Sequence, residues 1–137
     1  MDLMWLQRHF QPNKTGSMGA DAMTPEKDNL HRVADALIGA TNAFDVEGVL
    51  KLFTADALID DPSTGHRFDG HAGIRTYVEQ YFIGYKTVTR MLSIEPLGAN
   101  RASVRVDFTG DFGHEIGVLQ IAVNSDGLII RIDADLE

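Results

Sequence analysis

The acid pair Asp60-Asp61 stands directly before Pro62, ends the short apolar run Ala57-Leu58-Ile59, and is followed by the turn formers Ser63-Thr64-Gly65. Side chains alternate along a strand, so Asp61 shares a face with Ala57 and Ile59 while Asp60 takes the other. A carboxylate on an apolar face can look into an interior and shuttle a proton for a bound molecule. An aspartate before proline is also a turn starter, and both readings are open for Asp61. Polar residues that interrupt apolar strand faces are the next candidates, because an inward polar group is costly unless it is paired. Arg90 sits among Val88, Leu92 and Ile94, and His114 and Gln120 share a face with Ile116, Val118 and Ala122. Together with the Tyr81 hydroxyl, these three side chains are the expected polar contacts to a ligand; Tyr77 and Phe82, at helical spacing from Ile74, read as core packing.

Other chemistries find no pattern. His9, His31, His66 and His71 show no metal-ligand spacing, and neither a phosphate-cradling glycine loop nor a Gly-x-Ser-x-Gly elbow occurs. Zero cysteines exclude disulfides and thiolate catalysis. No cofactor and no metal are expected. The net charge is −8, and the 12 basic residues are scattered, which gives no stripe to neutralise phosphates and argues against nucleic acid. No apolar run approaches the roughly 20 residues that span a bilayer. Met1–Phe10 lacks the basic region and cleavage site of a signal peptide, so a soluble, cytoplasmic protein is expected.

The elements that must position these residues follow from the periodicity. At 137 residues the chain fits one domain. Residues 1–23, rich in turn formers from Gln11 to Gly19, read as an N-terminal extension or cloning remnant, with the domain at 24–137. Thr24-Pro25-Glu26 carries a cap, a first-turn proline and an acid, opening a helix over 25–43 whose Leu30, Val33, Ala34, Leu37, Ile38 and Thr41 form one apolar face. Asp45 caps a second helix that reaches about Thr54, a short strand covers 57–61, and Gly70-His71 opens a third helix that ends at Gly84. From Lys86 the period drops to two, with strands over 86–95, 101–109, 113–124 and 127–135 joined by short turns, hence antiparallel neighbours. The fold class is α+β: three N-terminal helices packed on a curved, mainly antiparallel sheet.

The order Asn42-Ala-Phe-Asp-Val-Glu-Gly48, Leu52-Phe-Thr-Ala-Asp-Ala57, Asp60-Asp-Pro62, Phe68-Asp-Gly70 and Ile74-Arg-Thr-Tyr77 resembles the nuclear-transport-factor-two-like superfamily, in its SnoaL-like polyketide cyclase and ketosteroid isomerase-like branch. The resemblance covers residues 23–137. It implies a cone-shaped half-barrel with an internal pocket for a small apolar molecule, a homodimer, and isomerase, cyclase or lyase chemistry without a cofactor. Asp61 falls on the isomerases' general base. Their oxyanion-hole tyrosine and aspartate are matched by Leu37 and Leu119, a departure that speaks against steroid isomerisation itself. A non-catalytic ligand-binding or dimerisation module is the second reading. A third follows the limonene epoxide hydrolases, whose Arg-x-Asp pair and late aspartate resemble Arg105, Asp107 and Asp133, although the alternation of Val104, Val106 and Phe108 turns Arg105 and Asp107 away from the apolar face. The dimer is expected across the exposed sheet face through Glu115, Leu119, Ile121 and Val123.

Overall fold

The computed structural model describes residues 25–137, and the expectation for residues 1–23 lies outside them. Helix α1 spans Pro25–Asn42, α2 spans Val46–Leu50, and α3 spans Gly70–Val78 and continues into a π-helical turn at Glu79–Ile83. The strands are β1 (Phe53–Asp61), β2 (His66–Asp69), β3 (Val88–Pro96), β4 (Arg101–Gly110), β5 (Gly113–Val123) and β6 (Ile129–Leu136). They form one open six-stranded sheet in the order β2-β1-β6-β5-β4-β3. Among the described residues β1 and β6 pair in parallel and the other four pairs are antiparallel. The α+β layout and the four strands of the second half agree with the sequence reading.

Three local differences have physical causes. The second helix stops at Leu50, and Phe53 already belongs to β1, because Phe53, Ala57 and Ile59 are all buried on the sheet. His66–Asp69, to which the periodicity assigns no element, pairs with β1 as an edge strand: Phe68 lies opposite Ile59 and buries its ring. The third helix loses its α-geometry after Val78. Its last turn widens, and the Phe82 carbonyl accepts from the Thr87 amide at 2.8 Å, which ties the helix end to the start of β3.

Alternation sorts the sheet into two faces. Val104, Val106, Phe108, Leu119, Ile121 and Ile132 turn toward the helices. Leu30, Ala34, Leu37 and Thr41 cover them from α1, one or two turns apart. Edge strand β3 is fixed by Asn42 at the end of α1, whose side-chain amide donates to the Thr89 carbonyl at 2.8 Å and accepts from the Thr89 amide at 2.7 Å. Leu119, Ile121 and Val123 are therefore core residues, and Glu115 shares their face, which corrects the expectation that these four meet a second copy. A two-sided apolar strand cannot be oriented by period alone. The outward set on β5 is His114, Ile116, Val118, Gln120 and Ala122.

Candidate functional site

Asp61 closes β1 with its side chain on the helix-facing side, only 8% exposed. Pro62 ends the strand and begins a single 3-10 turn that Gly65, at φ 78°, terminates. Within that turn the Ser63 amide donates to Asp61 Oδ1 at 3.1 Å and the Ser63 hydroxyl donates to the same oxygen at 2.7 Å. Thr64 Oγ1 donates to the Asp61 carbonyl at 2.7 Å. The other carboxylate oxygen, Oδ2, accepts from the Tyr77 hydroxyl at 2.7 Å. Asp61 is thus a turn starter and an inward acid at once. The turn geometry that Pro62 imposes aims the carboxylate at α3.

Tyr77 is buried, and burial first, then the Asp61 charge beside it, push its phenol well above the ordinary tyrosine range. It holds its proton and acts as a donor. Its ring packs on Phe68 at 4.9 Å, Tyr81 at 5.5 Å and Phe82 at 5.8 Å between centroids. The π turn brings Tyr81 and Phe82 onto the same wall, and the Thr87 hydroxyl, donating to the Tyr81 carbonyl at 2.8 Å, secures it.

A cavity of about 270 Å³ opens against Asp61, Tyr77 and Tyr81. Phe108 and Glu115 form its sheet side; Tyr85 and Phe112 form its outer rim, 44% and 41% exposed. The rim is built by backbone contact: the Asp111 amide donates to the Tyr85 carbonyl at 2.8 Å, which docks the β4–β5 hairpin on the end of α3's π turn. Behind Tyr77, Phe82 and Phe108 lies a second, apolar chamber of about 30 Å³, room for little more than a water molecule. Leu37 and Leu119 line it as apolar walls; these are the positions that the resemblance matches to the isomerases' polar groups. Thr41 and Thr89 also line it, and Thr89 Oγ1 is buried without a hydrogen-bond partner among the described residues.

Of the residues expected at the site, Asp61 and Tyr81 line the cavity. Arg90, His114 and Gln120 do not, which corrects that expectation. All three stand on the outward face. Arg90 Nη2 donates to Asp107 Oδ2 at 3.0 Å, and His114 Nε2 lies 2.8 Å from Asp107 Oδ1. Gln120 Oε1 accepts from Arg101 at 3.1 Å. A cross-strand charged partner, which no period count registers, satisfies these groups outside. The His114 hydrogen bond, then that of Arg90, hold the Asp107 carboxyl below its usual range. The epoxide hydrolase-like set also faces outward: Arg105 pairs with Glu137, Asp133 with Arg131, and Asp107 as just described. Sequence reasoning missed the Tyr77–Asp61 bond, Ser63, and the rim aromatics Tyr85 and Phe112. The usable signal was an aromatic residue in each of the two turns bordering β3 and β4. Among the described residues no cluster of His, Asp or Glu is arranged to hold a metal ion.

No curated protein matches the chain. Solved structures show the same fold at low identity. A ketosteroid isomerase-like protein of Kribbella flavida is 21% identical, with a TM-score of 0.71 over 80% of this chain and 78% of that one. The Mycobacterium tuberculosis protein RV0760c, solved with estradiol-17beta-hemisuccinate, is 18% identical, with a TM-score of 0.68 over 77% and 92%. A polyketide cyclase-like protein of Sinorhizobium meliloti is 21% identical, with a TM-score of 0.70 over 81% and 99%. The family model described as SnoaL-like domain matches residues 34–132, and the chain belongs to that family.

Proposed function

We propose that the cavity binds a small, largely apolar molecule and that Asp61 moves a proton on it, in a cofactor-independent isomerisation, cyclisation or elimination. The observation that carries this reading is a buried carboxylate at a cavity wall, held at one oxygen by Ser63 and at the other by a phenol. Fixed donors spare the carboxylate reorganisation as a substrate proton approaches. Aromatic walls suit an apolar body, and the family's neighbours, one solved with a steroid ester, are consistent with it. Asp61→Asn, assayed for binding and turnover of ketosteroids, polyketides and epoxides, is expected to keep binding and lose at least about a hundredfold in rate. Unchanged turnover removes Asp61 from the mechanism, whereas binding without any turnover by the parent chain leaves the non-catalytic binding module as the reading.

The same reading takes residues 24–137 as a single cone-shaped half-barrel domain, acting in the cytoplasm as a homodimer. No helix among the described residues is long and apolar enough to cross a membrane. The outward sheet face supports the dimer: Ile116, Val118 and Ala122 form an apolar strip among the ion pairs of Arg105 with Glu137 and Arg131 with Asp133. Light scattering is expected to give twice the chain mass at micromolar concentration, and a monomer mass would refute it.

A further inference from the structure

We infer that the ligand of this cavity carries a positive charge: an organic ammonium group held in the aromatic rim, with the apolar remainder pointing toward Asp61. This rests on the ligand-pocket reading above and names the class of molecule it takes. Charge and wall chemistry point the same way. The cavity lining contains two acids, Asp61 and Glu115, and no lysine, arginine or histidine. Asp61 is engaged by Ser63 and Tyr77, whereas the Glu115 side chain has no hydrogen bond or ion pair among the described residues, although the charged side chains Arg90, Arg105 and Asp107 on the opposite face of the sheet are paired. An exposed carboxylate at the edge of an aromatic chamber, with no cation beside it, is complementary to a cation from solution. The chain's net charge of −8 adds a field of the same sign.

The walls supply the second half of the argument. Six rings line the space: Tyr77, Tyr81, Phe82, Tyr85, Phe108 and Phe112. They run as a chain from the interior to the surface, Tyr77 to Tyr81 at 5.5 Å, Tyr81 to Tyr85 at 6.3 Å, and Tyr85 to Phe112 at 5.9 Å. The last pair meets at 89°, so the two rim rings stand as perpendicular walls. Both are more than a third exposed, so their faces are open to a molecule arriving from solution. Ring faces attract a cation through their quadrupole, and several rings with a nearby carboxylate are the arrangement that holds quaternary ammonium groups. An anionic ligand would meet two carboxylates and no positive partner. A neutral one without a hydrogen-bond donor would gain nothing from Glu115.

The test compares benzyltrimethylammonium with neopentylbenzene, its uncharged carbon isostere, and with phenylacetate, by titration into the full chain and the shifts of the aromatic ring resonances. The cation is expected to bind at least about tenfold more tightly than the isostere, and phenylacetate not to bind. Glu115→Gln, a surface change of equal size, and Phe112→Leu are each expected to weaken the cation several-fold and leave the isostere unchanged. Equal or tighter binding of neopentylbenzene overturns the inference while the apolar pocket stands. Cation binding that neither variant alters overturns it too, since the charge would then lie elsewhere. Failure of all three probes to shift the ring resonances overturns both this inference and the pocket reading.

Discussion

Tyr77→Phe removes a single oxygen and leaves the ring that packs on Phe68, Tyr81 and Phe82, so it isolates what the hydroxyl does for Asp61. The bond is 2.7 Å long, lies in a buried pair and has an acid as acceptor. Hydrogen bonds to a charged group contribute about 1.5–3 kcal/mol, and removal of the donor leaves Oδ2 with the cavity alone in front of it. For a domain of this size that loss corresponds to roughly 5–15 °C in Tm. Thermal or urea unfolding of the parent, Tyr77→Phe, Asp61→Asn and the double variant closes a cycle whose coupling should exceed about 1 kcal/mol. The pH dependence gives a second reading. Burial and the Asp61 charge raise the folded Tyr77 pKa above the ordinary 10.0, so the unfolded chain releases this proton first. Its share of stability is complete below pH 10.0 and is lost as pH rises toward the folded value, a decline that Tyr77→Phe should lack. A coupling below about 0.5 kcal/mol together with identical alkaline limbs would show that the phenol and the carboxylate do not act as a pair.

Asp107 is expected to behave in the opposite sense. Its pKa is lowered by His114 and Arg90, so the stability it contributes is present above the ordinary 3.8 and disappears as pH falls through the folded value. Asp107→Asn should flatten the acid limb of a melting-temperature profile without changing ligand binding. Gly117 lies under the Phe108 ring: a Cβ there would stand 2.8 Å from Phe108 Cε2 and 3.0 Å from the Asp135 carbonyl. Gly117→Ala should therefore cost about 1–3 kcal/mol in urea unfolding, and the displaced ring should narrow the cavity and reduce ligand affinity. If the proposed dimer forms, Val118→Asp on the outward strip is expected to convert it to monomer by light scattering while small-molecule binding persists.

The sequence made the helix and strand types legible wherever one periodicity ruled over many residues, as in α1 and β4. It made Asp61 legible because an acid interrupted an apolar face at a strand end. It failed where two faces were apolar together: residues 115–123 gave no inside, and Leu119 was read as a contact with a second copy although it sits in the core. It failed again where a distant partner set the environment. Nothing near Arg90 or His114 in the chain announces Asp107, yet that carboxylate draws both onto the outward face. The Tyr77–Asp61 bond belongs to the same class, since its length depends on how far the Pro62 turn rotates the end of β1 toward α3.

The parallel union of β1 with β6 has a bearing on how the chain matures. The strand that carries Asp61 is made early, but its inner neighbour is made only after the whole β3–β5 meander. During synthesis, then, β1 has only the short hairpin partner β2, and one of its edges is bare beside the apolar Ile59 and Ala57. At that stage the wall that carries Asp61 presents apolar side chains beside an unpaired strand edge. Variants that slow β6 docking should accumulate as aggregates even when the finished fold tolerates them.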